Sequence, residues 1–364
     1  MSKRLLICLM LVVACGAGER AELAAPAPVA IAPPTTNEPV PLVTTTANVP
    51  VPTSSLDARS IVIAVAGDTS LTQGLDGRDP FGAVAGVLGD ADLAIVNLET
   101  VVSEPGIGTA ADKQYVFRSP PRTAELLAAA GVDVVSVANN HALDLGIDGL
   151  ARTLELLDAS GLISVGAGTR DQAYAPAMFD IDGFRVAVIG ASRVLPNTSW
   201  MATETGLGLA SAYDGALDHL DRAVSDASSR ADVVIVMIHW GVEKDVCPAG
   251  FQEVLGSRLI ERGADVVVGS HPHVLQSVER SGDGWIIHST GNLAFPSARD
   301  ESARSAVFLI EVAESSIQIG LVPLQLDGGR PAPVDADGWL ADRALGWVDS
   351  GGVFVATDAL PCSS

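Results

Sequence analysis

The chain has 364 residues, of which 48% are hydrophobic and 18% charged, so it can build a large core and does not have the composition of a disordered protein. Its 22 Lys and Arg stand against 44 Asp and Glu, and the net charge of −22 excludes nucleic acid and an anionic lipid surface as expected partners. No apolar run reaches the roughly 20 residues that a membrane-spanning helix needs.

The N-terminal segment has the layout of a secretory signal. Lys3 and Arg4 precede a short apolar run, and Cys15 follows the small residue Ala14. This order is typical of a signal peptide over residues 1–14. Because the cysteine resembles that of a bacterial lipoprotein, Cys15 is predicted to carry lipid; an ordinary signal peptide with an incidental cysteine is the alternative. In both cases we expect an exported protein, and lipidation would anchor it at the cell membrane or cell surface.

Residues 15–58 are predicted to form an extended tether. They are rich in Pro, Thr and Ala and carry few charges, so they cannot build a core. Residues 59–326 change to short Val, Ile and Ala runs that alternate with helical patterns, which is typical of buried strands covered by helices. We therefore predict one α/β domain over 59–326, followed by a C-terminal extension of unknown role over 327–364.

Seven strands and four helices are predicted within this domain. The strands are expected at 61–68, 92–99, 133–141, 184–192, 232–241, 265–273 and 285–292. The helices are expected at 122–131, 149–161, 213–227 and 251–263, and several end at a glycine typical of a helix C-cap. After residue 306, two longer runs with partial alternation predict an antiparallel hairpin.

Polar side chains that bind metals or carry protons end nearly all of these strands. Because the carboxyl ends of parallel strands form the crevice of an open α/β sheet, we expect these side chains to converge. Carboxylate, amide and imidazole groups suit zinc, manganese or iron, and without a cysteine cluster they favour an open catalytic site, with one or two divalent ions that activate water. The predicted metal ligands are Asp68, Glu99, Asn140, His239, His271 and His273.

Further residues complete the predicted site. His141 and His271 are given catalytic roles, His141 as an acid or as a protonated stabiliser of the transition state, because imidazole titrates near neutral pH. Cys247 and Cys362 either pair in an oxidising compartment or remain two unpaired thiols. Weaker candidates for substrate contact are Asn97, Trp240, His288 and Asn292.

Six motifs follow one another along the chain: GDTSL, VNLET, NNHALDLG, HWG, GSHPH and STGNLAF. In this order they resemble the CapA family, also called the poly-γ-glutamate capsule biosynthesis domain. The resemblance implies the fold of calcineurin-like metallophosphoesterases, which is an α/β sandwich of two β-sheets flanked by helices. It also implies Glu99 as the bridging acid and Asn140 as the amide ligand beside the catalytic His141. Phosphoesterases usually have Asp-x-His in the first motif, whereas this chain has Ser70 in the third position.

The resemblance implies a role in the synthesis, attachment or trimming of an anionic envelope polymer such as poly-γ-glutamate. We expect a metal-dependent hydrolase that cleaves a phosphoester, a γ-glutamyl bond or another amide, in the polymer or in a small phosphoester or peptide. The alternative is a non-catalytic component that binds the polymer or its synthase. Since the protein is itself acidic, an anionic polymer needs a local cationic centre, which a metal would supply with help from Lys113, Arg118 or Arg193.

Overall fold

The computed structural model describes residues 59–72 and 79–334, together with the backbone of 347–349 and 354–356. The described residues all belong to the unit Asn48–Ser364. The predictions on the signal peptide, Cys15, the tether and Cys362 lie outside the described residues.

The structure assigns twenty strands and six helices to the described part of the chain. The strands are β1 (Ser60–Thr69), β2 (Leu93–Leu98), β3 (Val101–Val102), β4 (Arg118–Ser119), β5 (Val134–Ser136), β6 (Ile163–Val165), β7 (Ala167–Gly168), β8 (Ala177–Ile181), β9 (Phe184–Ser192), β10 (Gly208–Leu209), β11 (Val233–His239), β12 (Val266–Ser270), β13 (Val278–Ser281), β14 (Gly284–Ile287), β15 (Asn292–Ala294), β16 (Arg304–Ala313), β17 (Ile317–Asp327), β18 (Arg330–Pro333), β19 (Trp347–Asp349) and β20 (Phe354–Ala356). The helices are α1 (Val84–Gly89), α2 (Arg122–Ala129), α3 (Gly146–Ala159), α4 (Arg170–Ala173), α5 (Leu217–Ser228) and α6 (Gly250–Glu261), with short 3₁₀ turns at Thr198–Trp200 and Asp300–Ala303. Among the described residues, no helix combines the length and the apolar character that crossing a bilayer requires.

Most strands belong to two mixed sheets. The larger sheet has the order β19-β20-β17-β16-β1-β2-β5-β6, with β15 beside β1 and β18 beside β17. Strands β1, β2, β5 and β6 are parallel, while β1 pairs antiparallel with β16, with Ser60 opposite Ala313. The smaller sheet has the order β13-β14-β12-β11-β9-β8, with four parallel central strands and antiparallel edges.

The two sheets pack face to face, with helices on their outer faces. In β1, Ile61, Ile63 and Val65 join side chains of both sheets in one buried cluster, whereas Ala64 and Ala66 face the helical side. This follows from the period of two along a strand, because both faces of β1 are covered and both must be apolar. Helices α1, α2 and α3 cover the larger sheet, and α5 and α6 cover the smaller one. The predicted two-sheet sandwich with flanking helices is confirmed.

The predicted elements differ from the observed ones mainly at their ends. The strand expected at 133–141 was too long, because β5 ends at Ser136 and the chain then turns. In that turn, Asn139 donates its side-chain amide to the Leu98 carbonyl and accepts from the His141 backbone N–H. The predicted C-terminal hairpin is confirmed by the antiparallel pairing of β16 with β17.

Candidate metal centre

The polar residues that end the strands meet at one edge of the sandwich. The larger sheet supplies Asp68 in β1, Glu99 directly after β2 and Asn140 in the turn after β5; the smaller sheet supplies His239 at the end of β11 and the two histidines that follow β12. Two groups have all of their ligand atoms within 4.8 Å of one another: Glu99, His239 and His271 form one, and Asp68, Glu99 and His273 form the other. Glu99 belongs to both groups, which is the bridging position that the resemblance implies.

The distances within the cluster place Asn140 with the first group. The His239 Nε2 atom lies 2.7 Å from the Asn140 Oδ1 atom and 3.4 Å from the Glu99 Oε1 atom. The His273 Nδ1 atom lies 3.0 Å from the Asp68 Oδ2 atom and 3.7 Å from the Glu99 Oε2 atom. All six predicted ligands therefore come together at one place, five through these distances and His271 through the first group.

Unpartnered polar atoms in the cluster fit a divalent ion. Within the part of the chain that the structure describes, both carboxylate oxygens of Glu99 and the Nδ1 atom of His271 are buried without a hydrogen-bond partner. Leaving such groups unpaired is costly, and a divalent ion would bind the Glu99 oxygens and the His271 nitrogen together. Carboxylate, amide and imidazole donors without sulfur suit zinc, manganese or iron.

The acidic and basic groups of the cluster have strongly shifted pKa values. Burial and then the charge of Asp68 raise the pKa of Glu99 to about 8. Burial alone would lower the pKa of His273, but the charge of Glu99 and the hydrogen bond and charge of Asp68 raise it to about 10. Burial would likewise raise the pKa of Asp68, which the hydrogen bond and charge of His273 lower to about 2. Without an ion, Glu99 and His273 together thus hold protons more tightly than an ordinary carboxyl and imidazole do.

The other two histidines are neutral. Burial lowers the pKa of His239 to about 3 and that of His271 to about 2. A neutral imidazole keeps a lone pair on one ring nitrogen, which is the form that binds a metal. Burial therefore keeps both side chains in the neutral form that can bind a metal.

The segment that carries two of the histidines has a strained backbone. His271 has a φ of 100° and His273 a φ of 58°, with Pro272 between them. Non-glycine residues rarely adopt this left-handed region, and when they do they tend to lie at functional sites. The His271 backbone N–H also donates to the Asp68 Oδ2 atom at 3.1 Å, which fixes the segment beside β1.

Asn97 and Asn292, predicted as substrate contacts, form hydrogen bonds that orient the candidate ligands. The Asn97 side-chain amide donates to the Asp68 Oδ1 atom at 2.8 Å and lies 3.3 Å from the His239 Nδ1 atom. The Asn292 Oδ1 atom lies 2.9 Å from the His273 Nδ1 atom, and its amide donates to the His273 carbonyl. Both asparagines are buried. Such outer partners fix the orientation and basicity of metal ligands.

Trp240 and His288, also predicted to contact substrate, point away from the cluster. Trp240 is fully buried in the helix-covered layer of the smaller sheet, and its indole N–H donates to the His288 carbonyl. Because neighbouring side chains in a strand point to opposite faces, Trp240 lies opposite to His239. The His288 ring is likewise buried and lies 3.0 Å from a carboxylate oxygen of Glu279. Both side chains therefore lie away from the candidate ligands, and the prediction that they contact substrate stays a prediction.

His141 lies beside the cluster in a setting that the sequence did not reveal. Its Nδ1 atom is 2.6 Å from the Asp144 Oδ2 atom, and the Phe117 ring stacks on the imidazole with centroids 3.9 Å apart. Asp144 is fully buried, so the short contact fixes the proton on Nδ1 and leaves Nε2 as the free nitrogen. The motif NNHALDLG contains Asp144 three residues after His141, and this spacing was the one available signal.

The remaining predictions have mixed outcomes. Arg193 is bound by Asp214 at 2.9 Å and lies over two aromatic rings, so it is engaged away from the ligands. Arg118 is exposed on β4. Ser70, which occupies the place of the usual first-motif histidine, has a buried hydroxyl without a partner among the described residues. Cys247 is disulfide-bonded.

The fold and the cluster together define the class: an α/β sandwich of two sheets with a candidate divalent-metal centre at the carboxyl ends of its strands. The chain belongs to the bacterial capsule synthesis protein (PGA_cap) family, whose model matches residues 58–297. The resemblance to the CapA family is thereby confirmed.

Curated relatives agree with this assignment. The chain is 31% identical over 226 residues to the capsule biosynthesis protein CapA of Bacillus anthracis, a match that covers 62% of this chain and 55% of the relative. It is 28% identical to the PGA biosynthesis protein CapA of Bacillus subtilis, covering 68% of this chain and 65% of the relative. The chain thus spans a little over half to about two thirds of these relatives.

Among solved structures, a phosphatase from Mycoplasma pneumoniae is similar with a TM-score of 0.40 and 14% identity, covering 75% of this chain and 91% of the phosphatase. A purple acid phosphatase from yellow lupin is similar with a TM-score of 0.39 and 9% identity, covering 76% and 53% respectively.

Proposed function

We propose that the protein is a metal-dependent hydrolase that acts in the synthesis, attachment or trimming of an anionic capsule polymer of the poly-γ-glutamate kind. The observation that carries the proposal is Glu99, a buried carboxylate shared by two groups of candidate ligands, with both oxygens unpartnered among the described residues. Membership of the capsule synthesis family supports the substrate class.

The chain's own residues have separate tasks in this proposal. Asp68, Glu99, Asn140, His239, His271 and His273 would hold the ion or ions. When bound, a divalent ion supplies Lewis-acid activation of water and of the scissile group. His141, whose Nδ1–H is held by Asp144, would carry a second proton on Nε2 in its cationic form and would deliver that proton to the leaving group. Phe117 covers one face of the imidazole and excludes water from it.

The place of action is part of the proposal. With Lys3 and Arg4 before an apolar run and Cys15 after it, the chain would be exported and anchored by lipid at the cell membrane or surface. Residues 15–58 would then let the domain reach a growing polymer or its synthase. The protein's charge of −22 would repel a polyanion, so the bound metal ions would have to provide the local positive charge.

The test is metal content followed by hydrolysis, with full-length protein. Metal would be measured by plasma mass spectrometry in wild type, Glu99→Ala, His271→Ala and the control His219→Ala, which changes a partly buried histidine of α5 that belongs to neither ligand group. We expect metal in wild type and control and its loss in both site variants. Loaded wild type should then shorten poly-γ-glutamate or cleave a phosphoester, read by mass spectrometry of the products. Loaded protein that cleaves neither class, beside an active control enzyme, would contradict the proposal.

A second candidate function is polymer binding without catalysis. The observation that favours it is Ser70, which stands where phosphoesterases usually have a further histidine ligand, so the group around Asp68 has fewer donors. Polymer affinity that is unchanged in His141→Ala and His271→Ala, together with no product from wild type, would support this function and exclude the hydrolase.

A further inference from the structure

Lys113 lies in the long connection between β3 and β4, and its side chain reaches the residues around His141. Its ammonium group donates to the Asn140 carbonyl at 2.5 Å and to the Asp144 Oδ1 atom at 2.6 Å. It also lies over the Trp200 ring, 5.5 Å from the centroid. The Lys113 side chain is only 15% exposed. Because the Lys113 ammonium group donates to two protein oxygens, Lys113 is not a free cation that could bind a polymer, as the sequence analysis had suggested.

Asp144 connects Lys113 to the imidazole. Its Oδ2 atom accepts from the His141 Nδ1–H and from the Phe117 backbone N–H, both at 2.6 Å, while its Oδ1 atom accepts from Lys113. The Lys113 ammonium approaches the His141 Nδ1 atom to 3.2 Å, but with both groups acting as donors this contact is not a hydrogen bond. A fully buried carboxylate remains a good acceptor only when a cation compensates it, and Lys113 is that cation.

The same connection also holds the face of the ring. Phe117 lies four residues after Lys113, and its ring is within 8° of parallel to the imidazole. The backbone N–H of Ala111 donates to the Asp144 carbonyl at 2.8 Å, which ties the connection to the turn that carries His141. Lys113 and Phe117 therefore both restrain the His141 imidazole. Lys113 acts through Asp144, the hydrogen-bond partner of the ring, and Phe117 stacks on the ring face.

We propose that Lys113 is a positioning residue that fixes the imidazole of His141 by holding Asp144 and the Asn140 carbonyl in place. The proposal rests on the proposed function in that His141 is taken as the proton donor of hydrolysis. Among the described residues, Lys113 contacts the Asn140 carbonyl, His141, Asp144 and Trp200, and none of these contacts is with a candidate ligand's side chain. Its loss should therefore lower kcat while leaving KM and metal content close to wild type.

A spectroscopic readout tests the position of the ring without any activity. Stacking at 3.9 Å places the His141 ring protons in the ring current of Phe117, which shifts their resonances upfield in a proton–carbon spectrum of the full-length protein. The resonances are assigned with His141→Gln, and Phe117→Leu gives the value without stacking. All spectra are taken at one pH. We expect Lys113→Met, and the near-isosteric Lys113→Gln if the first does not fold, to lose most of the upfield shift. Lys113→Arg should retain it, as should the control Arg122→Met, which changes an exposed cation at the start of α2.

Kinetics then connect the ring position to function. We expect kcat to fall about 10–100-fold in Lys113→Met, the range found when outer partners of functional ligands are removed. Lys113→Arg and added propylammonium should restore part of it. A retained upfield shift overturns the proposal whether or not the protein hydrolyses anything, and so does a lost shift with an unchanged kcat. If wild type proves inactive while the shift is lost, the hydrolase proposal fails and the positioning of His141 by Lys113 stands.

Discussion

Replacing Glu99 by glutamine should have opposite effects on the metal-free and the metal-loaded protein. Burial and the charge of Asp68 raise the pKa of Glu99 from 4.5 to about 8, so the folded metal-free chain keeps a proton that the unfolded chain releases. The contribution of Glu99 to the free energy of unfolding is therefore at its maximum below pH 4.5, and it decreases as the pH rises to about 8. At about 1.4 kcal/mol for each tenfold change in the ionisation constant, the loss is about 3 kcal/mol at pH 7 and about 5 kcal/mol above pH 8.

Glutamine keeps the shape of the side chain and has no proton to lose. In EDTA, Glu99→Gln should therefore unfold in guanidinium with a free energy higher than wild type by about 2 kcal/mol at pH 6 and by about 5 kcal/mol at pH 8.5. With saturating manganese or zinc, wild type should gain stability by mass action, whereas the variant should gain little because it lacks the shared ligand.

Glu311 provides a matched control for this experiment. It is a buried carboxyl on β16 whose pKa is raised by burial, and it is not a member of either ligand group. Glu311→Gln should therefore also stabilise the metal-free chain at high pH but leave the stabilisation by metal unchanged. A Glu99→Gln variant that is less stable than wild type in EDTA at pH 8.5, or that gains as much from metal, would refute the reasoning.

Three further predictions concern proton release, the proton donor and backbone packing. Glu99 and His273 have pKa values of about 8 and about 10 in the metal-free chain, so an ion that binds both must displace their protons. Calorimetry in buffers of different ionisation enthalpy should therefore show proton release when metal binds at pH 7. The affinity for metal should increase from pH 6 to 9. Constant affinity over that range would argue against these two ligands. Asp144→Asn should lower kcat about 10²–10⁴-fold with normal metal content, because the change frees the imidazole but leaves the ligands intact; loss of metal in this variant would contradict the assignment. Gly67→Ala should destabilise the fold by about 1–3 kcal/mol or more, because its Cβ would lie 1.9 Å from the Gly291 carbonyl oxygen. The control Gly86→Ala, which meets nothing within 4 Å in α1, should stabilise it by up to about 1 kcal/mol in chemical denaturation.

The ligand cluster could be predicted because it follows from strand direction. Parallel strands place their carboxyl ends at one edge, so an acid such as Glu99 after an apolar strand is a local signal of a site at that edge. The period of two along a strand would also have separated His239 from Trp240, since neighbouring side chains point to opposite faces. This distinction follows from the sequence alone.

The partners of His141 could not be predicted in the same way. Lys113 and Phe117 lie in a connection without periodicity, and only the three-dimensional path of that connection brings them to the imidazole. A charge in a loop is usually solvated, so nothing in the local pattern distinguishes Lys113 from an ordinary surface lysine. The early end of β5 at Ser136 has a similar origin, because it depends on the hydrogen bonds of Asn139 to a neighbouring strand.

The pairing of β1 with β16 has a consequence for the order of events during synthesis. Ser60, at the start of the domain, lies opposite Ala313, so this part of β1 has no strand partner on that side until about 250 more residues have left the ribosome. At the usual speed of translation this is a delay of roughly 10–50 s. Throughout it, the apolar strand that later lies at the centre of the larger sheet presents an open edge, which other chains can pair with. The nascent domain should therefore depend on chaperones that bind extended apolar segments, and a fragment that ends before β16 should aggregate.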